Sequence, residues 1–120
     1  MKKKVLIVVS DYYKNISDAL LKSTKKYLNK RTNFEIIKVP GVFEIPVIIS
    51  RNIKKFDGFI AIGCVIKGKT AHFDLISKSV IDAIMYISID SKKPVGNCIL
   101  TCFNLKQALE RKNKGTEAAL

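Results

Sequence analysis

The sequence predicts an α/β fold in which a parallel sheet is covered on both faces by helices. Two features carry that prediction. Short apolar runs rich in β-branched residues alternate along the chain with stretches whose apolar residues recur at helical spacing. The runs are continuous rather than alternating in polarity, as strands buried on both faces require. Strand–helix–strand units of this kind are right-handed crossovers. No linker, internal repeat or low-complexity block interrupts them, and 120 residues make a single domain over 1–120.

The elements follow in order. Val-Leu-Ile-Val-Val at 5–9 is the first strand. Ile16, Ala19, Leu20, Tyr27 and Leu28 mark a helix, with Asn15 or Ser17 able to cap it. Residues 34–39 form the second strand, and Pro40-Gly41 is a turn pair with glycine expected at positive φ. A helix is predicted over 45–56, with Pro46 tolerated in its first turn. A third strand over 59–66, a long helix over 73–89, a fourth strand over 95–100 and a last helix from 105 complete the pattern. On the long helix Phe73, Ile76, Val80, Ala83, Ile84 and Ile87 make a core stripe. Ile81, Met85 and Ile89 make a second apolar row, read either as a subunit contact or as the mark of a deeply buried helix.

Composition narrows the function. With 48% apolar and 27% charged residues the chain is globular, not disordered or collagen-like. The net charge of +12 invites a nucleic-acid reading, but 19 of the 22 basic residues are lysines, scattered along the chain. Base edges and phosphates are read in two-point contacts mostly by arginine. The lysines therefore read as a solvated surface with a general pull on anions, and no nucleic-acid partner is expected. Three cysteines without a C-x-x-C pair make neither a disulfide framework nor a zinc site. The apolar run after Lys2-Lys3-Lys4 is too short for a signal peptide and no stretch reaches membrane-spanning length, so a cytoplasmic protein with no membrane partner is expected.

In parallel sheets ligands sit beyond the carboxyl ends of the strands. That rule selects the loops at 10–15, 40–44, 67–72 and 101–104. The third is the most informative. Lys67, Lys69 and Thr70 follow a strand and precede a helix, where free N–H groups, a helix dipole, a hydroxyl and two ammonium groups suit phosphate. The loop lacks the Walker pattern, and a capped helix start with exposed lysines is the plain alternative. His72 is the only histidine and so the only side chain whose ordinary pKa lies near neutrality. A helix N-terminus keeps its ring neutral and able to accept a proton. In the second loop Gly41 admits a ligand to the backbone, with Phe43 and Glu44 at the pocket mouth. Tyr12 in the first loop is placed to stack on a flat ring or is simply an exposed aromatic.

Three segments carry a resemblance. Val39-Pro-Gly-Val-Phe-Glu-Ile-Pro46, Gly63-Cys-Val-Ile-Lys-Gly-Lys-Thr-Ala-His-Phe-Asp74 and Asn113-Lys-Gly-Thr-Glu-Ala-Ala-Leu120 resemble, in order, the signature segments of the 6,7-dimethyl-8-ribityllumazine synthase family. The resemblance implies a flavodoxin-like three-layer sandwich with a four-stranded parallel sheet. It implies condensation of 5-amino-6-(D-ribitylamino)uracil with 3,4-dihydroxy-2-butanone 4-phosphate, releasing phosphate and water, with no cofactor and no metal. By matching position, Tyr12 stacks on the pyrimidine. Gly41, Val42, Phe43 and Glu44 bind the ribityl chain and line the ring site, and Val65 and Ile66 read the uracil edge through backbone groups. Gly68, Lys69 and Thr70 form the phosphate loop and His72 transfers protons. Arg111 holds the phosphate from the neighbouring subunit, with Lys114 and Glu117 near that site. The resemblance also implies a homo-oligomer with pockets shared between subunits, and makes riboflavin synthase a candidate partner.

The chain departs from the family in three places. Asn97 stands where many members carry a phenylalanine that covers the substrate ring from the neighbour, so stacking is lost there or becomes a hydrogen bond. Only Lys112, Asn113 and Lys114 separate Arg111 from Gly115, where members have about five more residues by this resemblance. The sequence stops at Leu120, where most members continue for several helical turns, so a pentamer or decamer is expected over a closed shell. A non-catalytic lumazine- or flavin-binding protein on the same fold is the alternative. An RNA-binding domain would instead show arginines and aromatics on one exposed face.

Overall fold

Four parallel strands, β1 (Lys4–Ser10), β2 (Asn33–Val39), β3 (Gly58–Ile66) and β4 (Val95–Cys102), form one sheet in the order β2-β1-β3-β4. Helices α1 (Lys14–Leu28), α2 (Ile45–Arg51), α3 (His72–Ser91) and α4 (Leu105–Arg111) join and follow them, as the alternation predicts. This is a computed structural model, and it describes residues 3–29, 31–68 and 72–112, with His72 and Phe73 described for their backbone alone. The sheet is flanked by two apolar layers. Leu6, Val8, Phe59 and Ala61 face α2 and α3 through Ile45, Ile49, Val80 and Ile84. Ile7, Val9, Ile60 and Ile62 face the other way, onto Ile16, Leu20 and Leu28 of α1 and Ala108 of α4. The two central strands are buried on both faces, which is why their sequences are continuous apolar runs. Among the described residues no helix is long and apolar enough to cross a membrane.

Local chemistry corrects three expectations. Neither Asn15 nor Ser17 caps α1: the helix has already begun at Lys14, after Tyr13, and no side chain caps it. Ser17 is instead buried and donates to the carbonyl of Ser10, tying the helix to the end of β1. Helix α2 ends at Arg51 rather than at 56. The Asn52 amide donates back to the Ile48 carbonyl at 2.8 Å, offering the backbone an alternative to another helical turn. The chain then turns so that Phe56 packs on Phe59, with ring centroids 6.0 Å apart. The ammonium of Lys93 holds this turn, donating to the carbonyls of Ile53 (2.6 Å) and Phe56 (2.9 Å). The third correction is at Gly41, whose φ of −141° is extended, not positive.

The two readings of the second row on α3 are also separated. Met85 and Ile89 are 59% and 69% exposed, so α3 is not a deeply buried helix within one chain. Val80 and Ile84 are buried, with Ile76 and Ile87 packed beside them, which matches the core stripe.

Candidate active site

Strand β1 is where the winding reverses: β2 lies on one side of it and β3 on the other. The loops leaving β1 and β3 therefore diverge, and a crevice opens beyond their carboxyl ends. A pocket of about 520 Å³ occupies that crevice. Its floor is Ser10 at the end of β1, with Cys64, Val65 and Ile66 at the end of β3. One wall is the segment Gly41, Val42, Phe43 and Glu44; Tyr12 and Tyr13 form another, and Ile76 of α3 reaches in.

The 41–44 wall is built as a single 3₁₀ turn over Val42–Glu44, closed by the Glu44 N–H donating to the Gly41 carbonyl at 3.2 Å. The turn sends the successive side chains of Val42 and Phe43 to opposite environments. Val42 is buried against the sheet while Phe43 stands 60% exposed at the rim. A side chain at Gly41 would meet the Glu44 carboxylate at 3.0 Å, so glycine leaves room there for that carboxylate. The Asp11 N–H donates to the Val39 carbonyl at 3.2 Å and fastens the first loop to the second.

The third loop is braced where it leaves β3. The Lys67 N–H donates to the Cys102 carbonyl at 2.8 Å, and the Lys67 ammonium lies 5.4 Å from the centre of the Phe103 ring. Phe103 is held in turn by a cap at the start of α4. Its N–H donates to Gln107 Oε1, and the Gln107 N–H donates to Asn104 Oδ1. Gly68 is exposed with open space around it. Lys69 and Thr70 lie outside the described residues, as do Lys114 and Glu117. His72 is the first residue of α3, at the helix end nearest this loop.

The structure thus brings together Tyr12, Gly41, Val42, Phe43, Glu44, Val65 and Ile66 around one pocket. It does not bring Asn97 or Arg111 to it within one chain. Asn97 is exposed on the edge strand β4, and its Oδ1 accepts the N–H of Ile99 at 2.9 Å. Arg111 is exposed at the last turn of α4.

Four lining residues are not singled out by the sequence: Ser10 and Tyr13, although the loop at 10–15 is selected, and Cys64 and Ile76. Each lies in or beside an element already read as strand, turn or core, so nothing in its spacing marks it. Ser10 is buried and its hydroxyl has no partner among the described residues. Tyr13 has its phenol pKa raised, chiefly by burial and further by Tyr12 and Cys64. Cys64 is pushed from 9.0 up to about 12 by burial, by the neighbouring Cys102 and by its hydrogen bond with that thiol.

At neutral pH Cys64 is therefore an un-ionised thiol, a wall and not a nucleophile. Folding holds its proton on, so its share of stability is intact below pH 9 and is lost as the pH climbs towards 12. Two results are expected: iodoacetamide at pH 8 labels Cys64 far more slowly in the folded than in the urea-unfolded protein, and the urea midpoint falls above pH 9. Equal labelling rates, read by mass spectrometry, would show a thiol open to the pocket.

Residues 2–120 match the family model described as 6,7-dimethyl-8-ribityllumazine synthase. The curated 6,7-dimethyl-8-ribityllumazine synthase of Bartonella tribocorum is 42% identical over 130 residues, spanning 99% of this chain and 86% of that protein. Those of Buchnera aphidicola and Agrobacterium fabrum are 39% and 37% identical, covering 99% and 98% of this chain and 82% and 88% of their own lengths. With its parallel four-stranded sheet, its pocket at the reversal of winding and a match along nearly its whole length, the chain belongs to the 6,7-dimethyl-8-ribityllumazine synthase family of enzymes.

Proposed function

We propose that the protein joins 5-amino-6-(D-ribitylamino)uracil to 3,4-dihydroxy-2-butanone 4-phosphate in the step that makes 6,7-dimethyl-8-ribityllumazine. The observation that carries this reading is the meeting of parts of two signature segments, residues 41–44 and 64–66, around one pocket at the reversal of winding. The amine attacks the ketone and forms an imine with loss of water. Phosphate is then eliminated with a proton from the neighbouring carbon, and the resulting enol becomes a ketone at that carbon. The amine nitrogen bearing the ribityl chain closes on this new carbonyl with loss of another water. Each step asks for positioning and proton transfer rather than for a strong nucleophile.

The pocket divides accordingly. The aromatic rim at Tyr12 and Phe43 takes the flat pyrimidine, the 41–44 turn takes the ribityl hydroxyls, and backbone groups at Val65 and Ile66 take the uracil edge. The loop from Gly68 through Lys69 and Thr70 takes the phosphate, and His72 moves protons between the amine, the carbinolamine and the leaving group. Arg111, Lys114, Glu117 and Asn97 reach the pocket of a neighbouring subunit, in a pentamer or decamer whose contacts include the exposed row at Met85 and Ile89. The product passes to riboflavin synthase, and the protein works in the cytoplasm.

The test is to mix the purified protein with both substrates and follow the green fluorescence of the lumazine. Product formed well above the uncatalysed rate supports the reading. No acceleration by a folded sample that binds the pyrimidine would overturn it in favour of a non-catalytic binder. In the same assay Arg111→Ala is expected to raise KM for the butanone phosphate by about 10-fold or more, since a charge-assisted hydrogen bond is worth about 1.5–3 kcal/mol. KM for the pyrimidine should stay within about twofold. Equal weakening of both substrates would place Arg111 away from the phosphate.

A further inference from the structure

Tyr12 and Tyr13 are consecutive, yet their environments differ. Tyr12 is 74% exposed, whereas Tyr13 is half-buried and packs against the apolar layer formed by α1 and the sheet. The Tyr13 backbone is also fixed. Its carbonyl accepts the N–H groups of Ile16 (3.1 Å) and Ser17 (3.0 Å) and so starts α1. The two rings meet nearly at right angles, with centroids 4.9 Å apart and an interplanar angle of 79°. Both line the pocket.

An exposed tyrosine on a loop samples several rotamers, and stacking a flat ligand on it must first freeze them. A perpendicular ring at 4.9 Å removes part of that freedom in advance, because edge-to-face contact is favourable only over a narrow range of orientations. A perpendicular contact engages at most one face of Tyr12 and leaves another open to a ligand.

We infer that Tyr13 is a positioning residue for the flat-ring substrate: anchored in the core, it holds the Tyr12 ring in the orientation on which the pyrimidine stacks. This rests on the proposed reading of the pocket and adds to it a residue that acts through Tyr12, not on the substrate. The raised phenol pKa is in keeping with this, since the hydroxyl stays neutral and the ring, not a charge, makes the contact.

The experiment is an equilibrium titration with 6,7-dimethyl-8-ribityllumazine, followed by its own fluorescence, so that binding is read without turnover. Tyr13→Leu is expected to raise the dissociation constant roughly threefold to tenfold, the range an edge-to-face pair is worth. Tyr13→Phe keeps the ring and should bind like the unaltered protein. Added to Tyr12→Ala, Tyr13→Leu should cost nothing more, because the ring it positions is gone. Additive losses in the double variant would overturn the inference by making Tyr13 a direct contact, and unchanged affinity in Tyr13→Leu would overturn it outright. Should Tyr13→Leu fail to fold, Tyr13→Met, of similar bulk, reads the same loss. A protein that binds the lumazine with this pattern but makes none from its precursors sinks the proposed reaction and leaves the positioning role standing. One that binds no lumazine at all sinks both.

Discussion

In His72→Ala, turnover is expected to fall by about 10²–10⁴-fold, with KM for both substrates held within about threefold. The chain has one histidine, so no second imidazole can take over. β3 ends at Ile66 on the pocket floor, and His72 opens α3, the helix that contributes Ile76 to the pocket lining. In the proposed reaction this imidazole would take a proton from the attacking amine and return it to the departing phosphate. Three readouts separate this role from a structural one. The limb of the pH–rate profile that reports the imidazole should vanish. Added imidazole should restore part of the rate. The melting temperature should barely move. A variant that loses substrate affinity and thermal stability together would show His72 to be a packing residue, and the assignment of proton transfer would fail.

How much of this was legible in the sequence depends on what fixes each feature. The sheet was legible because burial on both faces leaves a simple trace, an unbroken apolar run, in β1 and β3. The pocket position was legible from topology, since a parallel sheet delivers its loops to one edge. The ends of elements were not. The end of α2 is decided by one side chain, Asn52, competing for a carbonyl, and by a lysine 40 residues away that captures the released turn. At the start of α1 the expected capping serine instead ties the helix to β1, and the Tyr13 carbonyl accepts the first helical N–H groups. Gly41 illustrates a subtler gap: a glycine after proline suggests positive φ, but the residue is extended, and what it leaves room for is the Glu44 carboxylate. Tyr13 was passed over because it follows Tyr12 in a turn, where no period says which of two neighbours faces inward.

Gly63→Ala is expected to destabilise the fold by about 1–3 kcal/mol, a typical overpacking cost, and to loosen the pocket with it. Read as sequence, Gly63 is merely a gap in an apolar strand, and a central strand should prefer alanine there by about 0.5–1 kcal/mol. Packing reverses the sign. A Cβ at Gly63 would lie 2.5 Å from Val42 Cγ1, a separation that real Cβ contacts do not reach, and 3.3 Å from the Ser10 Cβ. Neither neighbour can step aside freely. Ser10 is held in β1, paired with Val39 of β2, and Val42 is buried within the 3₁₀ turn that carries Phe43 and Glu44. The new methyl must therefore lift that turn, and with it the wall assigned to the ribityl chain, so affinity for the pyrimidine should fall in step with stability. Gly58→Ala is the control. Its nearest neighbour is Pro94 Cγ at 3.4 Å, an ordinary contact, and the strand preference for alanine should leave it neutral or slightly stabilised. The decisive variant is Val42→Ala combined with Gly63→Ala. Trimming Val42 removes the atom that the methyl strikes, so the double variant should be more stable than the two separate losses added together. Strict additivity in urea unfolding would mean that the cost lies elsewhere along β3, and that the close approach of the turn to the sheet is not what holds the pocket in shape.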